Sequence, residues 1–185
     1  MKNKIEVLDC TLRDGGYYNN WDFSLDLVKD YMKAISLSGV KYIELGFRSF
    51  SSKNFRGSNW YTTENYINSL IIPNNLKVSV MVNASQIIMQ SDLESSVRKL
   101  FVKKSKSKIH LVRVASHVYE LDKTFKIIKI LKKLGYKVGD FPITERLAKT
   151  MLSLPIYPEL SENEISYVTE NIVNFFIHKH GKSNG

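Results

Sequence analysis

Apolar and polar residues follow one another along the chain in blocks that switch between a strand-like and a helical period. Residues 5–9 open with a short apolar run, the pattern of a buried parallel strand. Ser24 then stands where a helix cap belongs. Val28, Tyr31, Met32 and Ile35 follow it at helical spacing, and Gly39 comes past the end. Residues 42–47 repeat the strand pattern. The polar, aromatic and glycine-containing residues 49–63 predict a loop over the strand ends, and residues 63–71 a helix stopped before Pro73. Strands are predicted over 77–82 and 108–115, with helices over 92–104 and 120–134. In the last helix Leu121, Phe125, Ile128, Leu131 and Leu134 share a face, lysines line the other, and Gly135 closes it.

Four β/α units in succession predict an α/β fold over residues 1–139, with parallel strands in the order 1-2-3-4 and helices outside. The pattern then breaks. A short helix is predicted near 144–150, and the prolines at 155 and 158 argue against a fifth central strand. Ser161 and Glu164 spell a capping box, flanked by a Leu160–Ile165 staple, for a helix over 161–176 whose apolar side carries Ile165, Val168, Ile172 and Phe175 or Phe176. Residues 140–185 are therefore expected to be a separate, mainly helical segment.

Composition places the 185 residues among ordinary globular proteins, with 43% hydrophobic and 24% charged residues. No run reaches the roughly 18 apolar residues of a membrane span, and the N-terminus has no apolar signal region. Cys10 is the lone cysteine, so no internal disulfide forms, in keeping with a reducing cytoplasm. It reads as a small buried filler. The net charge of +9 is uneven: residues 1–140 hold 23 Lys+Arg against 13 Asp+Glu, and residues 141–185 hold 4 against 5. Most of the excess lies between Arg98 and Lys137. Those lysines interrupt apolar residues at helical spacing, as on the wet face of a helix, so a nucleic-acid partner is not expected; with no spanning run, neither is a membrane partner.

Polar residues fall where the C-terminal ends of parallel strands carry chemistry. Arg13, Asp14, Gly15 and Gly16 follow strand one, and the two glycines would let the backbone turn and approach a ligand. Arg13 offers a cationic fork for a carboxylate or enolate, and Asp14 a hard oxygen ligand. Glu44 lies inside an apolar strand, where burial demands a partner. Arg48, Asn83, Ser85, Arg113 and Ser116 lie at or near the other strand ends. Asn83, Ser85 and Ser116 read equally well as site material or as caps. His110 and His117 have no motif partner.

The run Asp9-Cys10-Thr11-Leu12-Arg13-Asp14-Gly15-Gly16-Tyr17, continuing to Trp21, resembles the opening of the DRE-TIM metallolyases, in their 4-hydroxy-2-oxovalerate aldolase-like branch. The resemblance implies a partial TIM barrel of about four β/α units over 1–139. It also implies descent from a divalent-metal-dependent aldolase, a carbon–carbon lyase acting through a pyruvate enolate. Its substrate would be a pyruvate-like 2-oxo acid. By matching position Arg13 would stabilise the enolate, Asp14 would be the metal ligand, and Glu44 would support them. The late-barrel His-x-His pair of that family has no counterpart on a strand, since His178 and His180 follow a helix. The resemblance thus implies weak holding of Mn or Mg and turnover far below that of complete relatives.

Residues from Gly139 through Leu152-Ser153-Leu154-Pro155-Ile156-Tyr157-Pro158-Glu159-Leu160 to Phe176 resemble the C-terminal end of DegT-type sugar aminotransferases, which are PLP-dependent. The stretch carries neither the cofactor lysine nor the phosphate-binding residues of that family, so no PLP site is expected. The chain then reads as a fusion from a surface-polysaccharide or nucleotide-sugar gene context. The alternative is a non-catalytic half-barrel remnant that self-associates as a homo-oligomer.

Overall fold

The computed structural model describes residues 7–136 and 161–180, without the side chains of 172 and 175–180. The chain divides into two units, Met1–Asp140 and Phe141–Gly185. The sequence expectations for residues 5–6, the helix at 144–150, the proline run and Leu160 lie outside the described residues.

In the first unit the elements are β1 (Leu8–Asp9), α1 (Thr11–Asn19), α2 (Leu25–Leu37), β2 (Tyr42–Phe47), α3 (Ser58–Tyr61), α4 (Glu64–Ser69), β3 (Lys77–Asn83), α5 (Ala84–Ile88), α6 (Leu93–Leu100), β4 (Ile109–Ala115) and α7 (Leu121–Lys133). Three-residue 3₁₀ turns precede β4 and α7. The strands form one parallel four-stranded sheet in the order β1-β2-β3-β4. The α/β class and sequential strand order agree with the sequence.

Local signals explain most helix starts. Ser24 Oγ accepts from Leu27 N, Thr63 Oγ1 from Tyr66 N, and Asp92 from Ser95 N. The core forms where the helices meet one face of the sheet: Val28 and Met32 of α2, Ile67 of α4, Val97 of α6 and Ile127 of α7 are buried with Ile43, Val78, Val80, Val82 and Ile109. Burying each such side chain contributes about 1.5–3 kcal/mol.

Three differences from the sequence reading matter. Residues 11–19, expected as a turn, form helix α1. The third helix ends at Leu100 rather than 104, because Phe101 turns extended and buries its ring. On α7 the buried face is Thr124, Ile127, Ile130, Leu131 and Leu134, while Leu121 and Phe125 are exposed. The helix has two apolar stripes, and periodicity alone does not say which one meets the sheet.

The second unit shows one helix, α8 (Glu162–His180), among its described residues. Ser161 N donates to Glu164 Oε2 at 2.9 Å and Glu164 N to Ser161 Oγ at 3.4 Å, the reciprocal capping box expected there. His178 and His180 lie on this helix, not on a strand.

Candidate functional site

Strand β1 delivers the chain to Asp9, whose carboxylate accepts from Thr11 N, Thr11 Oγ1 and the Tyr31 hydroxyl. These bonds fix the start of α1 and place Arg13 and Asp14 in its first turn. The two glycines make α1 a poor helix by propensity, and a tertiary clamp stabilises it. Trp21 Nε1 donates to the Arg13 carbonyl at 2.8 Å, and its indole packs on Phe47, Trp60 and Tyr17. A Cβ at Gly16 would overlap that indole. Gly16 thus serves helix packing, not a turn around a ligand.

Register then gathers the charges. Glu44 pairs with Ser79 across β2 and β3, while Met81 pairs with Arg113 across β3 and β4, so all four share a sheet face. The pairing of β2 with β3 slips between Glu44 and Phe47, which puts Phe47 on that face too. Its ring lies 5.9 Å from the Arg13 guanidinium, within cation–π reach.

Glu44 is fully buried and lies between two guanidiniums. Arg13 Nε donates to Oε1 at 3.0 Å, and Arg113 binds bidentately, Nε to Oε2 at 2.7 Å and Nη2 to Oε1 at 2.6 Å. The Ser79 hydroxyl stands 3.5 Å from Oε2. The Glu44 hydrogen bond raises the pKa of the Arg113 guanidinium. Asp14, with a side chain 59% exposed, pairs with Arg13 Nη1. Arg113 Nη2 also lies 3.6 Å from Cys10 Sγ. Burial, followed by the Glu44 charge, pushes the half-buried Cys10 thiol up to about 11, the state of an inert filler.

The structure therefore brings Arg13, Asp14 and Glu44 together, and adds Arg113 as the fourth member. Its signal in the sequence was a charged residue inside an apolar strand, the same signal that singled out Glu44. The other strand-end candidates do different work. Arg48 turns into the helix layer, where it holds the Thr62 carbonyl and Glu64 over the Phe101 ring. Asn83 caps α5 through Ser85 N, Ser85 Oγ donates to Glu120 at 2.6 Å, and Ser116 meets Thr124 at 2.7 Å. His117 stacks on Tyr119. Beyond the ends of β2 and β3 a cavity of about 270 Å³ is lined by Trp60, Gln86 and Met89 among others, and by no member of the charged cluster.

Comparison with known proteins gives three likenesses. A family model, the DegT/DnrJ/EryC1/StrS aminotransferase family, matches residues 64–173. A pleiotropic regulatory protein from Geobacillus stearothermophilus is 47% identical over 49 residues, which are 26% of this chain and 13% of that protein. The crystal structure of "the N-terminal domain of a putative aldolase" from Bacteroides vulgatus matches with a TM-score of 0.60 at 28% identity, over 72% of this chain and 42% of that one. The chain thus spans a small part of the curated relative and under half of the structural one.

Two cofactor expectations are corrected. The expectation of no PLP site is overturned by the family match, since DegT-type aminotransferases are PLP-dependent. The weakly held Mn or Mg ion has no support either. Among the described residues no group of three or more His, Cys, Asp or Glu side chains could hold a metal, and Asp14 is paired with Arg13. A PLP site needs a lysine and a partner for the ring nitrogen. The Glu44 cluster contains no lysine, so none of its members is assigned to that cofactor. Among the described residues no helix is long and apolar enough to cross a membrane.

Proposed function

The chain belongs to the DegT/DnrJ/EryC1/StrS aminotransferase family, and from that premise we propose that its first unit adds a site for the carboxylate of a pyruvate-like 2-oxo acid, formed by Arg13, Glu44 and Arg113. The observation that carries this is Glu44, buried and held by three charge-assisted hydrogen bonds from two arginines. Such a carboxylate orients both forks rather than binding anything itself. An incoming carboxylate meets Arg113 and takes the place of Asp14 on Arg13, and charge developing on an enolate oxygen then faces the Arg13 guanidinium.

In this reading residues 1–139 are a partial (β/α) barrel of the DRE-TIM metallolyase kind, followed by a separate segment over residues 140–185, one residue ahead of where the second unit begins. The reading draws support from the sequential parallel strands, the Asp9–Tyr17 run and the likeness to the Bacteroides vulgatus domain. Aldol cleavage by the chain alone would be far slower than by a complete barrel. Pyruvate titration followed through Trp21 and Trp60 tests the site. Saturable binding should weaken about tenfold or more in Arg113→Met, the loss of one charge-assisted contact. Asp14→Asn should bind as well as or better than the parent, because Asp14 competes for Arg13. Binding indifferent to Arg113→Met refutes the proposal.

The family match favours a second reading, PLP-dependent amino transfer by the chain. Added PLP should then stay bound through gel filtration with a visible absorbance, and failure to retain it refutes that reading. A third reading, the self-associating remnant, draws on β1 and β4 being the outer strands of the sheet. Light scattering that gives a monomer at high concentration would refute it.

A further inference from the structure

In a parallel sheet every connection from a helix into the next strand lies at the N-terminal end of the strands. Among the described residues each segment that leads into a strand carries an exposed aliphatic side chain: Val7 before β1, Leu37 before β2, Ile71 before β3 and Val102 before β4. Leu37 and Ile71 are each 80% exposed. The segments are joined to their neighbours. Asn75 Nδ2 donates to the Ser36 carbonyl at 2.8 Å, Lys77 N to the Lys41 carbonyl at 2.8 Å, and Lys104 N to the Leu134 carbonyl at 2.9 Å.

The cations sit at the same end. Lys103, Lys106 and Lys108 are exposed in the segment before β4, and Lys132 and Lys133 are exposed in the last turn of α7, which the Lys104–Leu134 bond brings alongside. Residues 37–41, 70–76 and 101–108 contain no Asp or Glu. Glu64, which accepts from Ser107 Oγ at 3.1 Å, is already paired with Arg48.

We propose that this end of the sheet docks on an anionic lipid bilayer, with the four aliphatic side chains entering the headgroup region and the lysines meeting the lipid phosphates. Surface docking of this kind requires no spanning helix. A bilayer fits better than a nucleic acid on two counts. The exposed apolar groups are aliphatic, so they give bases nothing to stack on. The exposed cations before β4 are lysines, point charges that suit a diffuse anionic surface rather than the forks that read base edges. The lack of a spanning run, the ground for expecting no membrane partner, leaves surface docking open. Positions 7, 37, 71 and 102 share no period, and only the sheet topology puts them at one end.

Flotation of the full chain with vesicles tests this. Binding is expected to vesicles of mixed phosphatidylglycerol and phosphatidylcholine, not to phosphatidylcholine alone. Each lysine near an anionic surface changes partitioning about fivefold. Lys103→Gln/Lys106→Gln/Lys108→Gln should therefore lose about 100-fold. Leu37→Ser/Ile71→Ser/Val102→Ser should lose about tenfold or more, and Ile71→Trp should shift its fluorescence to the blue on the vesicles. No flotation of the parent chain overturns the proposal. So does serine-variant binding equal to the parent, no shift in Ile71→Trp, or tighter retention on single-stranded DNA than on the vesicles.

Discussion

Glu44→Gln is the sharpest perturbation the site allows, because it keeps the shape of the side chain and removes its charge. The carboxylate is fully buried, and its two oxygens accept three bonds of 3.0, 2.7 and 2.6 Å from Arg13 and Arg113. A glutamine offers one acceptor and turns an NH₂ toward a guanidinium N–H, so at least one of the three bonds becomes a donor–donor contact. Removing one partner of a buried ion pair typically costs about 3–5 kcal/mol. The Arg113 side chain is 34% exposed and can recover some hydration, which sets the expectation at the lower end, about 3 kcal/mol. That is more than about 100-fold in the folding equilibrium. Urea unfolding read through Trp21 and Trp60, both in the first unit, measures it. The companion Arg113→Met and the double variant close a cycle, and the coupling should exceed about 1 kcal/mol. A Glu44→Gln protein within about 0.5 kcal/mol of the parent would mean that water already reaches the carboxylate. The argument from burial would then be wrong.

Gly16→Ala should destabilise by about 1–3 kcal/mol and red-shift the tryptophan emission, since its Cβ displaces the Trp21 indole; an unchanged melt would show that the clamp yields freely. Cys10 should alkylate at pH 8 about 100-fold more slowly than a free cysteine, because a thiol pushed up to about 11 is almost wholly protonated there. Removing the Glu44 charge should speed that reaction, and Arg113→Met should slow it further. Burial, Lys104 and Lys77 lower the His110 pKa from 6.5. Its folded form therefore resists protonation, and its contribution to stability is lost as pH falls below about 6.5. An NMR titration should find the midpoint below 6.5, and Lys104→Gln should move it upward.

The sheet was legible because its strands are apolar runs bounded by polar turns, and β2, β3 and β4 lie within one or two residues of where periodicity puts them. Helix starts at Ser24, Thr63, Asp92 and Ser161 were legible for a different reason. A cap is a local bond between neighbours, and each is made. Helix α1 was not legible, since Arg-Asp-Gly-Gly has the propensity of a turn and becomes helical only once Trp21 closes over Gly16. The slip in pairing between Glu44 and Phe47 was equally hidden, because its cause is tertiary. A Cβ at Gly46 would overlap the Asn59 carbonyl, and the Asn59 side-chain amide donates to Leu45 O at 2.6 Å. Arg48 looked like site material by position, yet the same slip turned it into the helix layer.

In the proposed site, charge balance decides what the cluster would take up. Arg13 and Arg113 contribute two positive charges and the buried Glu44 one negative, which leaves one positive charge for Asp14 to neutralise from the rim. Glu44 is fully buried and fixed by both forks, whereas the Asp14 side chain is 59% exposed and held by Arg13 alone. Its ion pair, largely in water, contributes at most about 1 kcal/mol, so a small anion exchanges for it at little cost. An incoming monocarboxylate then restores neutrality beside Arg113, whereas a dianion places an excess negative charge against Glu44 in a poorly hydrated corner. The same arithmetic separates the two ways of reading Asp14. As an ion ligand it would need at least two further carboxylates, thiols or imidazoles beside it, and among the described residues no group of three such side chains could hold a metal. As the removable counter-charge of Arg13 it needs only the exposure it has.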